Sequence, residues 1–467
     1  MGVLYLKSIK NLKQNPTQQV IMKVKVKQGS EEINSIGGIS LIGGLLNSLK
    51  CLRMLDNIKM KKVKRGKTSH SGILKCFTGI FSLGKNDYAD IELFRGDTFF
   101  QDSLNLNAVP SEGTLRQRVD ELAQVKGVSS IIQASNVELL KKISYFGTEK
   151  SAHGEYIPLD IDVSPLDNSG SNKEGVSWTY KNHDGYSPIF AYLGTHGYML
   201  NCELRPGSQH SNKDALEFIR YTIDMVEEIG IDLKTILVRL DSAHDCAEIV
   251  EELQKRGSAF IIKRNLRKEP KEQWLSLARR VGDPQSPREG KTVFIGEASH
   301  INVAGRDDLS PIFTTFEVTE RTVDRDGQEL LIPEIEVNTF WTNLPDEAQI
   351  VIGLYHSHGT SEQYHSELKS DLGIERLPSS KFATNSLLLL MAMMTFNVLR
   401  ILGQTALKMK DILPRKFKVQ RRRLRSVMQN LVYIACKRTN HAKSIFLKFG
   451  RNCPWFEVFR QLHIKFC

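Results

Sequence analysis

Hydrophobic and polar residues alternate with a period of two across residues 157–164, the pattern of a half-buried β-strand. The apolar face carries Leu159, Ile161 and Val163, and the polar face carries Asp160, Asp162 and Ser164. The segment therefore predicts a strand that presents two carboxylates on one side of a sheet.

Further apolar segments predict more strands, with helices between the later ones. The predicted strands are residues 188–193, 198–204, 235–240 and 259–262, and the predicted helices are residues 211–229 and 245–256, with Ser211 as a possible cap of the first. Residues 235–240 are almost continuously apolar, as in a buried parallel strand. The β-β-β-α-β-α-β order predicts an α/β core over residues 151–264.

Residues 1–35 are polar and lysine-rich without a sustained period, and we expect a basic, poorly ordered tail. Residues 36–150 predict a helical region. Within it, Leu115, Val119 and Leu122 share a helix face after Ser111 or Thr114, either of which suits a cap. Arg116 and Arg118 lie off that apolar stripe, which fits either a DNA-contacting helix or an amphipathic core helix with exposed arginines.

Residues 265–340 interrupt the α/β pattern with alternating segments at 292–295, 314–323 and 335–341, which predict a β-rich insertion. Helical patterns return at 346–370 and 382–402, within a second part of the core over residues 341–405. The apolar run 387–402 contains Thr395, Asn397 and Arg400, so it predicts a buried helix and no membrane span. Residues 406–467 predict a basic helical region.

Charge is distributed unevenly along the chain, whose net charge is +11. Residues 1–75 carry 15 Lys and Arg against 3 Asp and Glu, and residues 405–451 carry 14 against 1. The segment between them is acidic, with 33 against 48. Basic segments attract phosphate backbones, whereas an acidic centre repels DNA unless its carboxylates hold cations. The pattern therefore favours a nucleic-acid partner.

Three acidic residues are candidates for chemistry: Asp162 on a strand, Asp241 at the end of a buried strand, and Glu362 on a predicted helix. Carboxylates without cysteine ligands suit a hard cation such as Mg²⁺ or Mn²⁺, and two such ions can drive phosphodiester chemistry. The polar stripe of that helix is Tyr355, His358, Glu362 and Lys369. Taken singly, each acid also fits a helix cap, a turn or a solvated helix face. A zinc site at His356, His358 and His365 lacks suitable further ligands.

The local sequence resembles the DDE transposases of bacterial insertion sequences, in the branch that has a β-strand insertion in an RNase H-like catalytic domain. The matching segments are 159–164 (LDIDVS), 238–242 (VRLDS), 341–344 (WTNL), the series Tyr355, Glu362 and Lys369, and Asn385. The resemblance covers roughly residues 75–460. It implies an α/β fold with an RNase H-like core and a β-rich insertion, flanked by an N-terminal helical DNA-binding region and a basic helical C-terminal region.

The resemblance also assigns roles to residues. Asp162, Asp241 and Glu362 would be the catalytic, metal-binding triad, with Asp160 as the alternative first aspartate. Tyr355, His358 and Lys369 would contact DNA, although His358 stands where the motif has arginine and cannot form a bidentate phosphate contact. Trp341 lies near a position at which related enzymes stack a tryptophan on a base, but core packing is the favoured role for it here.

The implied activity is metal-dependent cleavage at the ends of a mobile element and transfer of those ends into target DNA, with Mg²⁺ or Mn²⁺, as two ions. The implied partners are terminal inverted repeats and target DNA, bound by a homodimer on paired ends in the cytoplasm, at the nucleoid. The run Arg421, Arg422, Arg423 and Arg425 is expected to track phosphates. The alternatives are a nuclease that cuts without joining and a relic that only binds DNA.

Overall fold

The structure is a computed structural model, and it describes residues 26–59, 67–301, 312–415, 418–441 and 444–467. Most of the predicted basic tail, residues 1–25, lies outside the described residues. Within the rest of that tail, β1 (Ile33–Asn34) pairs with a strand near the C-terminus.

The N-terminal region is helical, as predicted. Its helices are α1 (Ile39–Asn47), α2 (Lys50–Arg53), α3 (His70–Phe81), α4 (Thr98–Ser103), α5 (Glu112–Ala123) and α6 (Val128–Leu140). Ser111 caps α5 by accepting a hydrogen bond from the Thr114 N–H at 3.3 Å. Arg118 was expected on the exposed side of α5, but it is buried, with Nη2 2.8 Å from Nδ1 of His70. A polar partner on α3 therefore draws this arginine inward.

The α/β core is confirmed. Its elements are β2 (Glu149–Lys150), β3 (Glu155–Val163), β4 (Leu166–Asp167), β5 (Ser177–Trp178), β6 (Asp184–Tyr186), β7 (Ile189–Leu193), β8 (Tyr198–Glu203), α7 (Ala215–Ile229), β9 (Ile236–Leu240), α8 (Ala247–Arg256) and β10 (Ala259–Lys263). In the central sheet the order is β8-β7-β3-β9-β10. β3, β9 and β10 are parallel, and β7 and β8 alternate in direction beside β3. The helix predicted from Ser211 begins later, after Asp214.

The β-rich insertion is also present, and it extends the same sheet. It comprises α9 (Lys271–Val281), β11 (Asp283–Arg288), β12 (Lys291–Ile301), β13 (Ile312–Val323) and β14 (Glu329–Thr342). β14 pairs antiparallel with β10, with Trp341 opposite Ile262. Trp274 and Leu275 of α9 pack on Phe316 and Val318, so the insertion has an apolar cluster of its own.

The single helix predicted over residues 346–370 is broken into short pieces. These are α10 (Ala348–His356), a 3₁₀ turn (Ser357–Thr360), α11 (Ser361–Ser366) and a π-helical turn (Glu367–Asp371). Glu367 and Asp371 in the π turn are buried and pair with arginines of the C-terminal region. These long-range ion pairs fix the wider turn, and the predicted regular stripe of residues seven apart does not form.

Helix α12 (Phe382–Lys408) lies at the centre of the molecule, against β8, α3, α5 and α6. It is long and apolar enough to cross a membrane by length and composition, yet 94% of its most apolar window is buried within the protein. The amide of Asn397 donates to Oδ1 of Asn136 at 2.7 Å, which ties α12 to α6. One hydrophobic core therefore joins the N-terminal helices to the sheet.

The C-terminal region was predicted to be helical, and this is wrong for its middle. It comprises α13 (Leu424–Val427), β15 (Cys436–His441), β16 (Ser444–Phe449) and α14 (Phe456–Phe466). β15 and β16 form a hairpin, with β1 on the other side of β15. The pairing with β1, some 400 residues away in the chain, adds a sheet partner that a local pattern does not reveal.

Candidate active site

Asp162 lies near the end of β3 with its side chain mostly buried. Its Oδ1 accepts a hydrogen bond from the Val163 N–H at 2.7 Å, and its Oδ2 lies 3.3 Å from Nε2 of His365. Burial disfavours the charged carboxylate, but the hydrogen bond and charge of His365 outweigh it and lower the pKa of Asp162. The residue is therefore held as a carboxylate.

Asp241 directly follows β9, the strand that runs parallel to β3. Its Oδ1 accepts the N–H of Ala243 at 3.1 Å and lies 2.6 Å from Nδ1 of His244. The side chain of Asp241 is 39% exposed, whereas that of His244 is fully buried. The buried His244 therefore fixes Oδ1 of Asp241, while the Asp241 carboxylate remains open to solvent.

Glu362 lies in the first turn of α11, and its side chain is exposed. Among the described residues, no group of three or more His, Cys, Asp or Glu side chains is already arranged as a metal site. The three candidate acids nevertheless act on one common side chain. Partial burial and the negative charges of Asp162, Asp241 and Glu362 together raise the pKa of Tyr180. The three carboxylates thus share one region of negative potential.

Asp160, the alternative first aspartate, lies in a different environment. It is buried, and its two oxygens accept bonds from Nε and Nη2 of Arg239 at 2.6 and 2.8 Å. Arg239 lies directly opposite Asp160 on β9, and it also donates to Glu149 at 2.9 Å. Burial opposes the charge of Asp160, but Arg239 and His358 outweigh it and lower the pKa of Asp160.

His358 was predicted to contact DNA, but it is buried and belongs to this same network. Its Nδ1 lies 2.9 Å from Oδ1 of Asp160. Burial lowers its basicity, yet the charge and hydrogen bond of Asp160 prevail and raise the pKa of His358. The structure therefore places this imidazole inside, as a partner of a buried carboxylate, because the broken helix turns it away from the surface.

Tyr355 and Lys369, the other predicted DNA contacts on this segment, are partly buried. The Tyr355 ring packs 4.6 Å from Phe340. Nζ of Lys369 donates to the carbonyl oxygen of Pro165 at 2.6 Å, just past β3. Burial lowers the pKa of Lys369, although the charges of Glu375 and Glu362 oppose this effect. The lysine therefore sits at the border of the acidic region.

The arginine run was predicted to be one phosphate-tracking surface, and the structure divides it. Arg421 is largely buried in an ion pair with Glu367, and Arg422 is 3% exposed, with its guanidinium 4.5 Å from the ring centre of Trp455. Arg423 and Arg425 have side chains that are 49% and 57% exposed, and both pair with the buried Asp371. Two of the four arginines therefore face solvent.

Trp341 is buried and lies in the pairing region of β14 with β10, with the Arg264 guanidinium 5.4 Å from its ring. The favoured role in core packing is confirmed. A buried indole in the centre of a sheet is not accessible to a DNA base.

Sequence reasoning did not assign His365, His244 or Tyr180 to the site. His244 lies three residues after Asp241, its partner, and this local spacing is a signal that would have found it. His365 pairs with Asp162, 203 residues away, so no local spacing reveals that contact. Tyr180 lies in a loop, and no spacing in the sequence links it to the acids.

The donor chemistry of this region fits a hard divalent cation. The three acids supply only carboxylate oxygens, which are the ligands that such cations prefer. The imidazole of His365 orients the Asp162 carboxylate, and the imidazole of His244 orients the Asp241 carboxylate. None of the three is neutralised by a lysine or arginine ion pair among the described residues, in contrast to Asp160 with Arg239. Both oxygens of Asp160 already accept hydrogen bonds from Arg239, so a cation there would meet a carboxylate that the protein has neutralised.

Comparison with known proteins gives a family and a structural neighbour. The family model described as "Transposase DDE domain group 1" matches residues 17–466. No curated protein sequence matches the chain. The cryo-EM structure of the piggyBac transposase synaptic complex with hairpin DNA is similar with a TM-score of 0.42 and 11% identity, over 85% of this chain and 78% of that chain.

Proposed function

The chain belongs to the DDE transposases, and from this we propose that it cleaves DNA at the ends of an insertion sequence and joins those ends to target DNA. The single observation that carries the proposal is the position of two candidate acids in a chain that matches the family over residues 17–466: Asp162 lies near the end of β3, and Asp241 directly follows the neighbouring parallel strand β9. These are the acids that the sequence motifs select. Their position beside the ends of the parallel strands β3 and β9 is typical of α/β active sites.

We assign the roles as follows. Asp162, Asp241 and Glu362 would hold Mg²⁺ or Mn²⁺, which when bound lowers the pKa of an attacking water or 3′-hydroxyl and stabilises the leaving oxygen. His365 and His244 keep Asp162 and Asp241 oriented. Lys369, whose Nζ contacts the carbonyl oxygen of Pro165, would meet a DNA phosphate at the edge of the acids, and Tyr355 would contact DNA from the same segment.

The sheet order supports an RNase H-like catalytic core. β3, β7 and β8 form an antiparallel unit, and β9 and β10 continue from β3 in parallel. The first acid lies on β3 and the second follows β9, so neighbouring parallel strands bring both to one edge. The β-rich insertion then separates β10 from the segment that carries the third acid.

DNA ends and target DNA are the proposed partners, and a homodimer on two paired ends in the cytoplasm is the proposed active form. The two basic segments of the sequence support DNA binding through non-specific attraction to phosphates. Arg423 and Arg425 are the members of the arginine run whose exposure suits such a contact.

The experiment that tests this function is a cleavage and joining assay. Wild-type protein, Glu362→Gln and the control Glu228→Gln are incubated with Mn²⁺, DNA that carries the element's terminal repeats, and a target plasmid. Glu228 is an exposed acid near the end of α7, and it pairs with Lys141 at the end of α6. The wild type and the control should nick and join the ends, and Glu362→Gln should do neither.

The same assay separates the alternatives. Cleavage without joined product would favour a metal-dependent nuclease. Binding without cleavage by any of the three proteins would favour a relic that retains only DNA affinity. Equal cleavage by Glu362→Gln and wild type would contradict the assignment of the third acid.

A further inference from the structure

Two large aromatic side chains are exposed beside the candidate active site. Trp178 is 60% exposed and Tyr180 is 57% exposed. Trp178 ends β5 and Tyr180 begins the turn that follows, with the buried Thr179 between them. Trp178 and Tyr180 are the two most exposed of the phenylalanine, tyrosine and tryptophan side chains that the structure describes.

The backbone that carries these rings is firmly held. β5 pairs with β6, and Thr179 donates from both N–H and Oγ1 to the carbonyl of His183, at 2.9 and 2.8 Å. Oγ of Ser177 accepts from the N–H of Ser208 at 2.8 Å. These hydrogen bonds fix the backbone that carries Trp178 and Tyr180, so both side chains stay exposed in the folded protein.

The rings lie next to the acids. The Tyr180 hydroxyl donates to the carbonyl of Val163 at 2.8 Å, and Val163 directly follows Asp162. Whatever stacks on the outer face of this ring is thereby brought close to Asp162.

A positively charged side chain, Lys181, lies beside the Tyr180 ring. Nζ of Lys181 lies 5.6 Å from the centre of the Tyr180 ring, and Lys181 is exposed. The charge of Lys181 also acts on Lys369, at the border of the acids. A rigid aromatic pair with neighbouring cations suits a nucleic-acid strand, because bases stack on the rings and phosphates meet the cations.

We propose that Trp178 and Tyr180 form a stacking site for unpaired nucleobases of a DNA strand at the reacting end. This inference rests on the proposed function, since it names the part of the DNA that the site takes. Paired bases inside a duplex do not offer their faces to side chains, so the site selects frayed, nicked or single-stranded ends.

Tryptophan fluorescence tests this proposal directly. The chain has four tryptophans, and Trp274, Trp341 and Trp455 are 9%, 4% and 9% exposed. Emission that iodide can quench therefore reports Trp178. The probe is an oligo(dT) of about twelve nucleotides, compared with a blunt duplex of equal length, in EDTA so that no hydrolysis consumes it. We expect oligo(dT) to quench this emission and protect it from iodide, and the duplex to have a much smaller effect.

Affinity measurements by fluorescence anisotropy of labelled DNA complete the test. Trp178→Ala and Tyr180→Ala should each weaken oligo(dT) binding by about tenfold. Trp178→Phe should retain the affinity and lose the quenching. The matched control is Tyr221→Ala, which removes a 42% exposed tyrosine from α7 and should change neither.

Unchanged oligo(dT) affinity in both alanine variants, or equal effects of oligo(dT) and duplex on Trp178, would overturn the stacking site. Because these measurements need no metal and no cleavage, they are independent of the proposed function. If the variants show no stacking but the protein still cleaves DNA in a Glu362-dependent way, only the stacking site is wrong. If oligo(dT) stacks but the protein does not cleave DNA, only the proposed transposase chemistry is wrong.

Discussion

Asp160 and Asp162 lie two residues apart on one face of β3, yet the structure gives them opposite surroundings. Asp160 is enclosed by Arg239 and His358, and both of its oxygens are used by these cations. Asp162 meets one imidazole and shares a region of negative potential with Asp241 and Glu362. One carboxylate is neutralised by the protein, and we propose that the other is left for an external cation.

In the proposed function, β3 carries a structural acid, Asp160, and a chemical acid, Asp162, side by side. A buried arginine–carboxylate pair is costly to break, because either partner alone is an uncompensated charge. A group of carboxylates without cations is unfavourable until a metal neutralises them. Substitutions at each acid and its partners can test this division of roles.

The largest effect is expected from Asp241→Asn. Loss of a metal-holding carboxylate should reduce DNA cleavage on the order of 10³-fold or more, because the electrostatic stabilisation of the transition state is lost. The free energy of unfolding should change by less than about 1 kcal/mol, because the side chain is partly exposed. Gel assays of cleavage and urea unfolding measure the two quantities, and a strongly destabilised variant with normal cleavage would reverse the roles assigned here.

The opposite result is expected from Asp160→Asn. It leaves the Arg239 guanidinium buried without its main counter-charge and should lower the free energy of unfolding by about 3–5 kcal/mol. Urea unfolding followed by circular dichroism measures this loss. Asp162→Asn is the matched control on the same strand and face, and we expect it to lose about 1 kcal/mol or less. Equal losses in both variants would contradict the comparison.

A smaller effect concerns pH. The folded-state pKa of His358 is raised by Asp160, so protonated His358 stabilises the fold fully below about pH 6.5, its unfolded value. That contribution, about 1.5–3 kcal/mol for a hydrogen bond to a charged group, disappears as the pH rises through the raised folded-state pKa. The charge of Asp162 also raises the pKa of His358, and the charge of Arg239 lowers it.

The check is urea unfolding in EDTA at a series of pH values from about 5.5 to 9. The wild type should lose stability across the upper part of this range relative to His358→Gln, which has no proton to lose there. Parallel stability curves for the two proteins would show that His358 is not charged in the folded state.

The smallest effect is expected at the surface. Arg425→Gln removes one exposed cation, while Arg423 still holds Asp371 with bonds of 2.9 and 3.2 Å from Nε. Stability should change by less than about 1 kcal/mol. DNA affinity should fall a few-fold, and the slope of affinity against salt should decrease by about one. A salt titration with an unchanged slope would remove Arg425 from the DNA surface.

The strands that carry the acids could be predicted because their signal is local. Alternation along residues 157–164 and the apolar run before Asp241 depend only on neighbouring residues, and both strands form as expected. The environment of Asp160 could not be predicted in this way. Arg239 is 79 residues away and His358 is 198 residues away, so nothing near Asp160 in the sequence distinguishes it from Asp162.

The same limit explains the arginine run and the broken helix. A basic stretch without nearby acids predicts a solvated face, but Glu367 and Asp371 are more than 50 residues away and draw Arg421 and Arg423 into ion pairs. Those ion pairs also accompany the π-helical turn at Glu367–Asp371. Periodicity describes which face of a segment is apolar, and it carries no information about distant counter-ions.

The most direct test of the division between Asp160 and Asp162 is Mn²⁺ binding, followed by electron paramagnetic resonance of the free ion. The proteins compared are the wild type, Asp162→Asn, Asp241→Asn, Glu362→Gln and Asp160→Asn, each verified as folded by circular dichroism. We predict that the first three variants bind Mn²⁺ at least about tenfold more weakly than the wild type, and that folded Asp160→Asn binds it normally. Loss of Mn²⁺ in Asp160→Asn together with normal binding in Asp162→Asn would contradict the account.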